Sequence, residues 1–359
     1  MKVPLHNLSL QYLPLKEEID QMFVDQAMTG NHLGLTEVTK FEQKFAQFTE
    51  AEDCVGVSSG TDALRMALRA FEVSEGDEVI VPAYTWVSTA EVILDVGATP
   101  VFVDVDDEFI IDVNKIEQNI TAKTKCIIHV DLYGQCADID VLKTIADKHG
   151  LWLLQDSAQS VGTRYKGKIV GSQSHLTCYS FGPVKNLSCM SKAGGVVGQT
   201  KLIDKIKLLR NHGFSKDRKQ ILTQGYNARM EEFSARLLYK KLDFLQTYNA
   251  SKRQVAKNYT SELQNYLEVP KEKLNSYHVY YLYTIKTGQR DTLLKHLQQN
   301  DIHAGVKYQY TMNKQKPYPN VACPKSEYFV HTVLSLPCFY GITESQQQYV
   351  IDKVKGFFV

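Results

Sequence analysis

Four short stretches of this chain hold side chains whose types and spacing suit them to chemistry. They are Tyr179-Ser180-Phe181-Gly182-Pro183-Val184-Lys185, Ser58-Ser59-Gly60-Thr61-Asp62, Tyr84-Thr85-Trp86, and Leu154-Gln155-Asp156-Ser157-Ala158-Gln159. The apolar run 176–181 reads as a short buried strand that Gly182-Pro183 stops, leaving Lys185 at a strand exit. A lysine held in a partly desolvated place sheds its proton more easily and becomes a nucleophile toward carbonyls. Taken alone, Lys185 reads as a solvated surface residue, as most lysines are.

The other stretches are open to two readings each. Ser58 to Leu64 is a small-residue turn that starts a helix, so its unpaired N–H groups and the helix dipole make an anion site; ordinary N-capping by Ser or Thr is the alternative. Trp86, in the first turn after a strand, either stacks on a planar ring or belongs to the core. Asp156 ends an apolar strand and is either a helix cap or a carboxylate facing a bound cation.

The elements that must position these residues follow an alternating pattern. Strands are expected at 54–57, 78–82, 101–105, 126–130 and 152–154, with helical segments near 112–120 and 138–149 between the later ones. Repeated strand and crossover helix indicate a mostly parallel, helix-covered sheet, whose functional residues gather at the carboxyl ends of the strands. Before this, residues 1–35 read as an N-terminal arm ending in Gly30-Asn31-His32-Leu33-Gly34, and Val38, Phe41, Phe45 and Phe48 mark an amphipathic helix. After Gly195 come a helix at 202–209, the loop His212-Gly213-Phe214, and a long helical stretch to about residue 267 with Leu237, Leu238, Leu242 and Leu245 as its stripe. A strand at 279–285, a helix from Arg290, a second strand at 304–308 and a last helix at 344–356 suit a small α+β domain. The expected division is an arm, 1–35; a large cofactor-binding α/β domain, 36–245; and a linking helix with the small C-terminal domain, 246–359.

Composition narrows the function classes. At 359 residues with 43% hydrophobic content, the chain is long enough for a large domain and a smaller one. Its 41 basic and 40 acidic residues give no net field for nucleic acid or an anionic membrane, so neither is an expected partner. Seven scattered cysteines without a Cys-x-x-Cys pair argue against a disulfide framework and a zinc site, and no metal is expected. The start lacks an apolar signal core and no run approaches the roughly 18 apolar residues of a span, which points to a soluble, cytoplasmic protein.

Taken together, the sheet-edge features are an anion-ready turn (Gly60, Thr61), an aromatic (Trp86), an acid (Asp156), a hydroxyl (Ser180) and a carbonyl-reactive amine (Lys185). Pyridoxal 5'-phosphate presents the matching set: a phosphate, a flat ring, a ring nitrogen whose proton must be held, and an aldehyde. The chain resembles the DegT/DnrJ/EryC1/StrS family of pyridoxal-phosphate-dependent nucleotide-sugar aminotransferases. The likeness runs from Gly34 through Ser59-Gly60-Thr61-Asp62-Ala63-Leu64, Gly76-Asp77-Glu78-Val79-Ile80, Asp156-Ser157-Ala158-Gln159-Ser160, Ser180-Phe181, Pro183, Lys185-Asn186, Tyr226-Asn227 and Arg229 to Leu336-Pro337.

The resemblance implies an aspartate-aminotransferase-type fold (fold type I) with a seven-stranded, mostly parallel sheet. It implies that Lys185 holds the cofactor covalently, Asp156 pairs with the pyridinium nitrogen, Trp86 stacks on the ring and Gln159 approaches the ring hydroxyl. Gly60, Thr61 and Ser180 would take the phosphate, joined by Asn227 from the second subunit of a homodimer. Arg229, Tyr308 and Tyr310 are the expected substrate contacts. Two positions depart from the family pattern: Gly182, where His or Tyr is more usual, and Lys192, where an acid is. The implied reaction transfers an amino group, with glutamate as donor, to a nucleotide-linked keto-6-deoxyhexose, leaning toward C3 of a dTDP sugar. Amination at C4 of a UDP, GDP or dTDP sugar is the alternative, followed by a sugar dehydratase or a non-catalytic cofactor-binding regulator; dehydratases of this fold carry histidine in place of Lys185.

Overall fold

The computed structural model describes residues 1–30 and 34–359, so Asn31, His32 and Leu33 at the end of the expected arm lie outside the described residues. Among the described residues twelve strands form: β1 Asp53–Val57, β2 Glu78–Pro82, β3 Thr99–Val103, β4 Thr124–Val130, β5 Trp152–Asp156, β6 Arg164–Tyr165, β7 Lys168–Ile169, β8 Leu176–Ser180, β9 Gly194–Gly198, β10 Ser276–Tyr277, β11 Tyr283–Lys286 and β12 Val333–Leu336. Seven of them make the central sheet in the order β1-β9-β8-β5-β4-β2-β3. β2, β3, β4, β5 and β8 pair in parallel, while β9 runs antiparallel to both β1 and β8.

Side-chain alternation explains why both faces are covered. Val79, Val81, Cys126, Ile128 and Leu154 belong to one apolar cluster, and Ile80, Ile127 and Leu153 to another. A strand apolar on both faces must lie under helices on both sides, as a parallel sheet requires. The helix Gly60–Ala70 supplies Leu64, Ala67 and Leu68 to the first cluster, and Ile139–His149 supplies Leu142 and Ile145 to the second. In register, Asp156 pairs with Val130 of β4 on one side and with Cys178 of β8 on the other. The strand ends that carry the acid and the lysine segment are therefore neighbours.

Two expected elements differ. The helix at 112–120 is instead two short 3-10 turns, Val113–Lys115 and Glu117–Asn119. Asp112 accepts from the N–H of Asn114 (3.1 Å), and the Asn119 amide takes the Lys115 carbonyl (2.7 Å) that an α-helix would offer to the Asn119 N–H. The strand at 304–308 forms only a single bridge, Gly305 to Ser335; β12 is the partner of β11. Beyond Gly305 the backbone is held by tyrosine side chains: the Tyr133 hydroxyl donates to the Lys307 carbonyl, and the Tyr308 N–H donates to the Tyr84 hydroxyl at 2.6 Å.

A further apolar cluster joins Val255, Tyr259 and Leu263 of the helix Leu245–Leu263 to Tyr283, Ile285, Leu334, Val350 and Val354. The N-terminal segment enters it, since Val3 exchanges backbone hydrogen bonds with Asp301 and His303, both 2.9 Å. It then forms the helix Lys16–Thr29, tied to Glu232–Lys241 by the pairs Glu18–Lys240 and Asp25–Arg236, each 2.8 Å. Among the described residues no helix is long and apolar enough to cross a membrane.

Candidate active site

Lys185 is fixed by a tight turn and an anchor. Its N–H donates to the Gly182 carbonyl (3.0 Å), and the next residue, Asn186, is buried, with its amide donating to Asn249 Oδ1 (2.8 Å) and the Val279 carbonyl (3.1 Å). Lys185 Nζ lies 4.7 Å from the centroid of the Tyr281 ring. The residue as a whole keeps some exposure, but the ammonium itself is enclosed, and that enclosure lowers its pKa to about 8. The charge of Asp156 acts against this lowering and that of Lys307 adds to it.

Asp156 is 4% exposed. Its Oδ2 accepts from Thr89 Oγ1 at 2.8 Å and its Oδ1 from the Ala158 N–H at 3.1 Å. Burial raises its pKa, while those two bonds and Lys185 oppose the rise. Thr89 is three residues past Trp86 on the helix Val87–Asp95, so one helix start sets both the ring and the donor that orients the acid. Trp86 is 49% exposed, which removes it from the core, and its ring sits 5.5 Å from that of Tyr308.

Gln159 is buried, accepting at Oε1 from the Tyr133 N–H and donating through Nε2 to the Tyr308 hydroxyl, both 2.8 Å. Tyr308 stacks on Tyr310 at 5.9 Å. On the other side of Asp156 the helix Gly60–Ala70 begins, with Ser59 Oγ accepting from the Asp62 N–H (3.1 Å). Gly60 and Thr61 open that helix, so their N–H groups have no intrahelical acceptor. A Cβ on Gly60 would lie 2.8 Å from Ser180 Cβ, so this glycine is what lets the helix start reach the end of β8. Gly194 closes the same junction, because a Cβ there would stand 2.3 Å from the Ser59 carbonyl oxygen. Thr61 Oγ1 bonds Ser88 Oγ at 2.8 Å.

Lys185, Asp156, Trp86, Gln159, Tyr308, Tyr310, Gly60, Thr61 and Ser180 are linked by these contacts into one region at the strand ends. Asn227 and Arg229 flank Ala228, whose carbonyl accepts the Ser58 N–H at 2.9 Å, so their backbone runs beside the turn that leads to Gly60, while their side chains take no part in those contacts. Asn227 is exposed and its backbone bridges Asn211; Arg229 bridges Val57 and lines a cavity of about 750 Å3 with Leu35, Lys207, Phe214 and Arg218. Gly182 faces open space, since a Cβ placed there would meet only Ser180 Oγ at 3.8 Å, and Lys192 is exposed.

Sequence reasoning passed over several residues of the region. Thr89 was signalled by its three-residue spacing from Trp86, which puts both on one helix face. Tyr281, Lys252, Lys307 and His6 had no such signal. Behind Asp156 a fully buried Asp131 accepts from Gln155 Nε2 (2.9 Å), Ser157 Oγ (2.6 Å) and Ser160 Oγ (2.9 Å), and burial lifts its pKa to about 7.

A doubly covered, mostly parallel sheet with an amine-bearing strand exit, a buried acid and an anion-ready helix start is a fold type I arrangement for carbonyl chemistry. Residues 14–355 match the DegT/DnrJ/EryC1/StrS aminotransferase family, and the chain belongs to it. It is 37% identical to a pleiotropic regulatory protein of Geobacillus stearothermophilus, covering 100% of this chain and 99% of that one. It is 35% identical to the dTDP-3-amino-3,4,6-trideoxy-alpha-D-glucose transaminase of Streptomyces venezuelae, over 99% and 96%. Among solved structures, S. venezuelae DesV in complex with a ketimine intermediate superposes with a TM-score of 0.96 at 34% identity, over 99% of this chain and 98% of that one.

Proposed function

We propose that this protein transfers an amino group from glutamate to the 3-oxo carbon of a dTDP-linked 6-deoxyhexose. It is a pyridoxal-phosphate-dependent aminotransferase of nucleotide-linked sugars. The observation that carries the reading is Lys185, an enclosed amine with its pKa brought down to about 8, beside the buried carboxylate of Asp156. The close approach of Gly60 to Ser180 at a helix start fits the phosphate, and the buried Asp156, held by Thr89 and Ala158, fits a protonated ring nitrogen.

When bound, the cofactor supplies an aldehyde that captures the amine and a ring that accepts electrons. In this reading Lys185 holds it covalently at rest. Lys185 Nζ, its pKa lowered to about 8, would take the proton from the donor's α-carbon and, in the second half-reaction, return one to the sugar carbon. Asp156 keeps the ring nitrogen protonated, Trp86 covers the ring, Gln159 faces its hydroxyl, and Gly60, Thr61 and Ser180 take the phosphate. Asn227 is read as reaching the phosphate of a partner subunit, which fits its exposure. Arg229 then belongs to the same shared edge, and Tyr308 and Tyr310 to the sugar side. The division into an arm, a large cofactor-binding domain (36–245) and a C-terminal part (246–359) follows the same reading.

The preference for C3 and dTDP is supported by the name of the S. venezuelae relative. The test is to incubate the protein with glutamate and 3-oxo or 4-oxo nucleotide sugars and weigh the products by mass spectrometry. Amination of the 4-oxo sugar alone overturns the C3 assignment. Regulation without catalysis has one observation in its favour, the name of the G. stearothermophilus relative, and turnover with either sugar rejects it.

A further inference from the structure

The turn after β5 carries the two side chains read as facing the ring, Asp156 and Gln159, and one carboxyl group at the end of β4 ties that turn down. Asp131 Oδ2 accepts from Gln155 Nε2 at 2.9 Å, Ser157 Oγ at 2.6 Å and Ser160 Oγ at 2.9 Å. These donors are the two neighbours of Asp156 and the residue after Gln159. The Asp131 N–H also donates to the Asp156 carbonyl at 3.0 Å, and the N–H of Tyr133, two residues on, donates to Gln159 Oε1.

The second oxygen of Asp131 tells how the group is charged. Asp131 Oδ1 and His129 Nδ1 stand 3.8 Å apart, both residues are fully buried, and among the described residues neither atom has a hydrogen-bond partner. The other ring nitrogen, His129 Nε2, lies 3.3 Å from Ser174 Oγ, which gives its own proton to Gln155 Oε1 at 3.3 Å. His129 must then donate at Nε2, which leaves a lone pair on Nδ1. An ionised Asp131 would set another buried lone pair against it, with both atoms stripped of water and unpaired. A proton on Oδ1 turns the same contact into a donor facing an acceptor.

Burial favours the same arrangement. It lowers His129 to about 3 and lifts Asp131 to about 7 against the pull of its three hydrogen bonds, with the charge of Asp156 adding to the rise. The other titratable groups at the pair are Cys136 and Tyr179, both raised by burial and then by the Asp131 charge, so both stay neutral. Neither supplies a positive charge that would keep Asp131 ionised.

We infer that His129 and a protonated Asp131 are positioning residues for the amino transfer, holding Asp156 and Gln159 toward the cofactor ring without placing a second negative charge behind Asp156. The inference rests on the assignment of Asp156 to the ring nitrogen. A charged Asp131 would raise the proton affinity of Asp156, whose carbonyl its own N–H holds, and so draw toward Asp156 the proton that the ring nitrogen needs.

The experiment compares the holoenzyme with Asp131→Asn, Asp131→Ala and a double variant, Ser157→Ala with Ser160→Ala. Asparagine mimics the protonated acid, because its carbonyl oxygen accepts from the serines and its amide donates to His129 Nδ1. Asp131→Asn should therefore keep the visible circular dichroism of the bound cofactor and a turnover close to wild type. Asp131→Ala should diminish that dichroism and lower kcat about tenfold to a hundredfold with KM for glutamate little changed, the scale of a reacting group displaced by about 1 Å. The double serine variant loosens the same turn while leaving the acid in place, so it should act in the same direction, and it decides the matter if Asp131→Ala does not fold. Infrared spectra of the cofactor-free protein should show the C=O stretch of a protonated carboxyl that fades as pH increases through about 7 and is missing from Asp131→Asn. Three results each overturn the inference: wild-type dichroism and kcat in the alanine variants that fold, an Asp131→Asn as impaired as Asp131→Ala, or a wild type without that band. Asp156→Asn is measured alongside. Near-normal turnover there sinks the reading of the acid and this inference with it, whereas a loss of about a thousandfold there with unaffected Asp131 and serine variants sinks this inference alone.

Discussion

Adding one methyl group at Gly60 probes the junction that the cofactor reading depends on. The helix Gly60–Ala70 starts against the end of β8, and the new Cβ would stand 2.8 Å from Ser180 Cβ and 3.2 Å from Ser180 Oγ. Carbon atoms in contact prefer about 3.5–4.0 Å, so helix and strand must separate by roughly 1 Å. Overpacking of this kind costs about 1–3 kcal/mol. Alanine is otherwise welcome at a helix start, so the cost is the clash and not propensity. Because the clash falls where the phosphate is proposed to sit, the same energy should appear as cofactor affinity lowered about fivefold to a hundredfold. Gly182→Ala is the matched control, since its Cβ would meet only Ser180 Oγ at an ordinary 3.8 Å. The assay titrates cofactor-free protein with pyridoxal phosphate and follows visible absorbance, with thermal melting of the cofactor-free form to separate strain from binding. Gly60→Ala binding as tightly as Gly182→Ala and wild type would falsify the phosphate assignment.

Asp156→Asn should retain the wild-type circular dichroism and lose about a thousandfold in turnover, because a neutral amide does not hold the pyridinium proton; near-normal turnover refutes the role. In cofactor-free protein, modification of Lys185 by a carbonyl reagent should rise with a midpoint near pH 8 and not 10.5. The unfolded chain binds the extra proton between those values, so the contribution of Lys185 to stability grows as pH increases from 8 to 10.5; a midpoint at the ordinary lysine value contradicts the enclosure argument. Asp131 titrates with the opposite sign: its folded pKa is raised from 3.8 to about 7, so its contribution is present below pH 3.8 and lost as pH increases toward 7. Asp131→Asn should flatten that part of the stability profile, measured by denaturant unfolding from pH 4 to 8, and an unchanged slope rejects the assignment. Mixing Lys185→Ala with Asn227→Ala chains should restore activity toward half of one normal dimer's, since one site of the mixed dimer carries neither defect. Demonstrated subunit exchange without recovery would leave Asn227 a structural loop residue.

What the sequence determined by itself is the layout along the chain. Alternating apolar strands and helices specified a helix-covered parallel sheet, because residues such as Ile80 and Val81 are apolar on opposite faces and cannot be left to water on either. Lys185 after Gly182-Pro183 and Asp156 at the end of β5 were legible as strand-exit residues for the same local reason. Tertiary packing decided which distant residues meet them. Thr89 orients Asp156 across 67 positions, Tyr281 lies under Lys185, and His6 and Lys307 arrive from opposite ends of the chain. No periodicity records such meetings, since a tyrosine or lysine has the same local preferences whether it ends in a site or on the surface. The segment 304–308 shows the same limit from the other side. Its residues suit a strand, but Tyr84 and Tyr133 satisfy its backbone with side chains, and β12 takes the place beside β11. Local propensity proposes an element, and whichever partners offer the buried backbone its hydrogen bonds decide whether it forms.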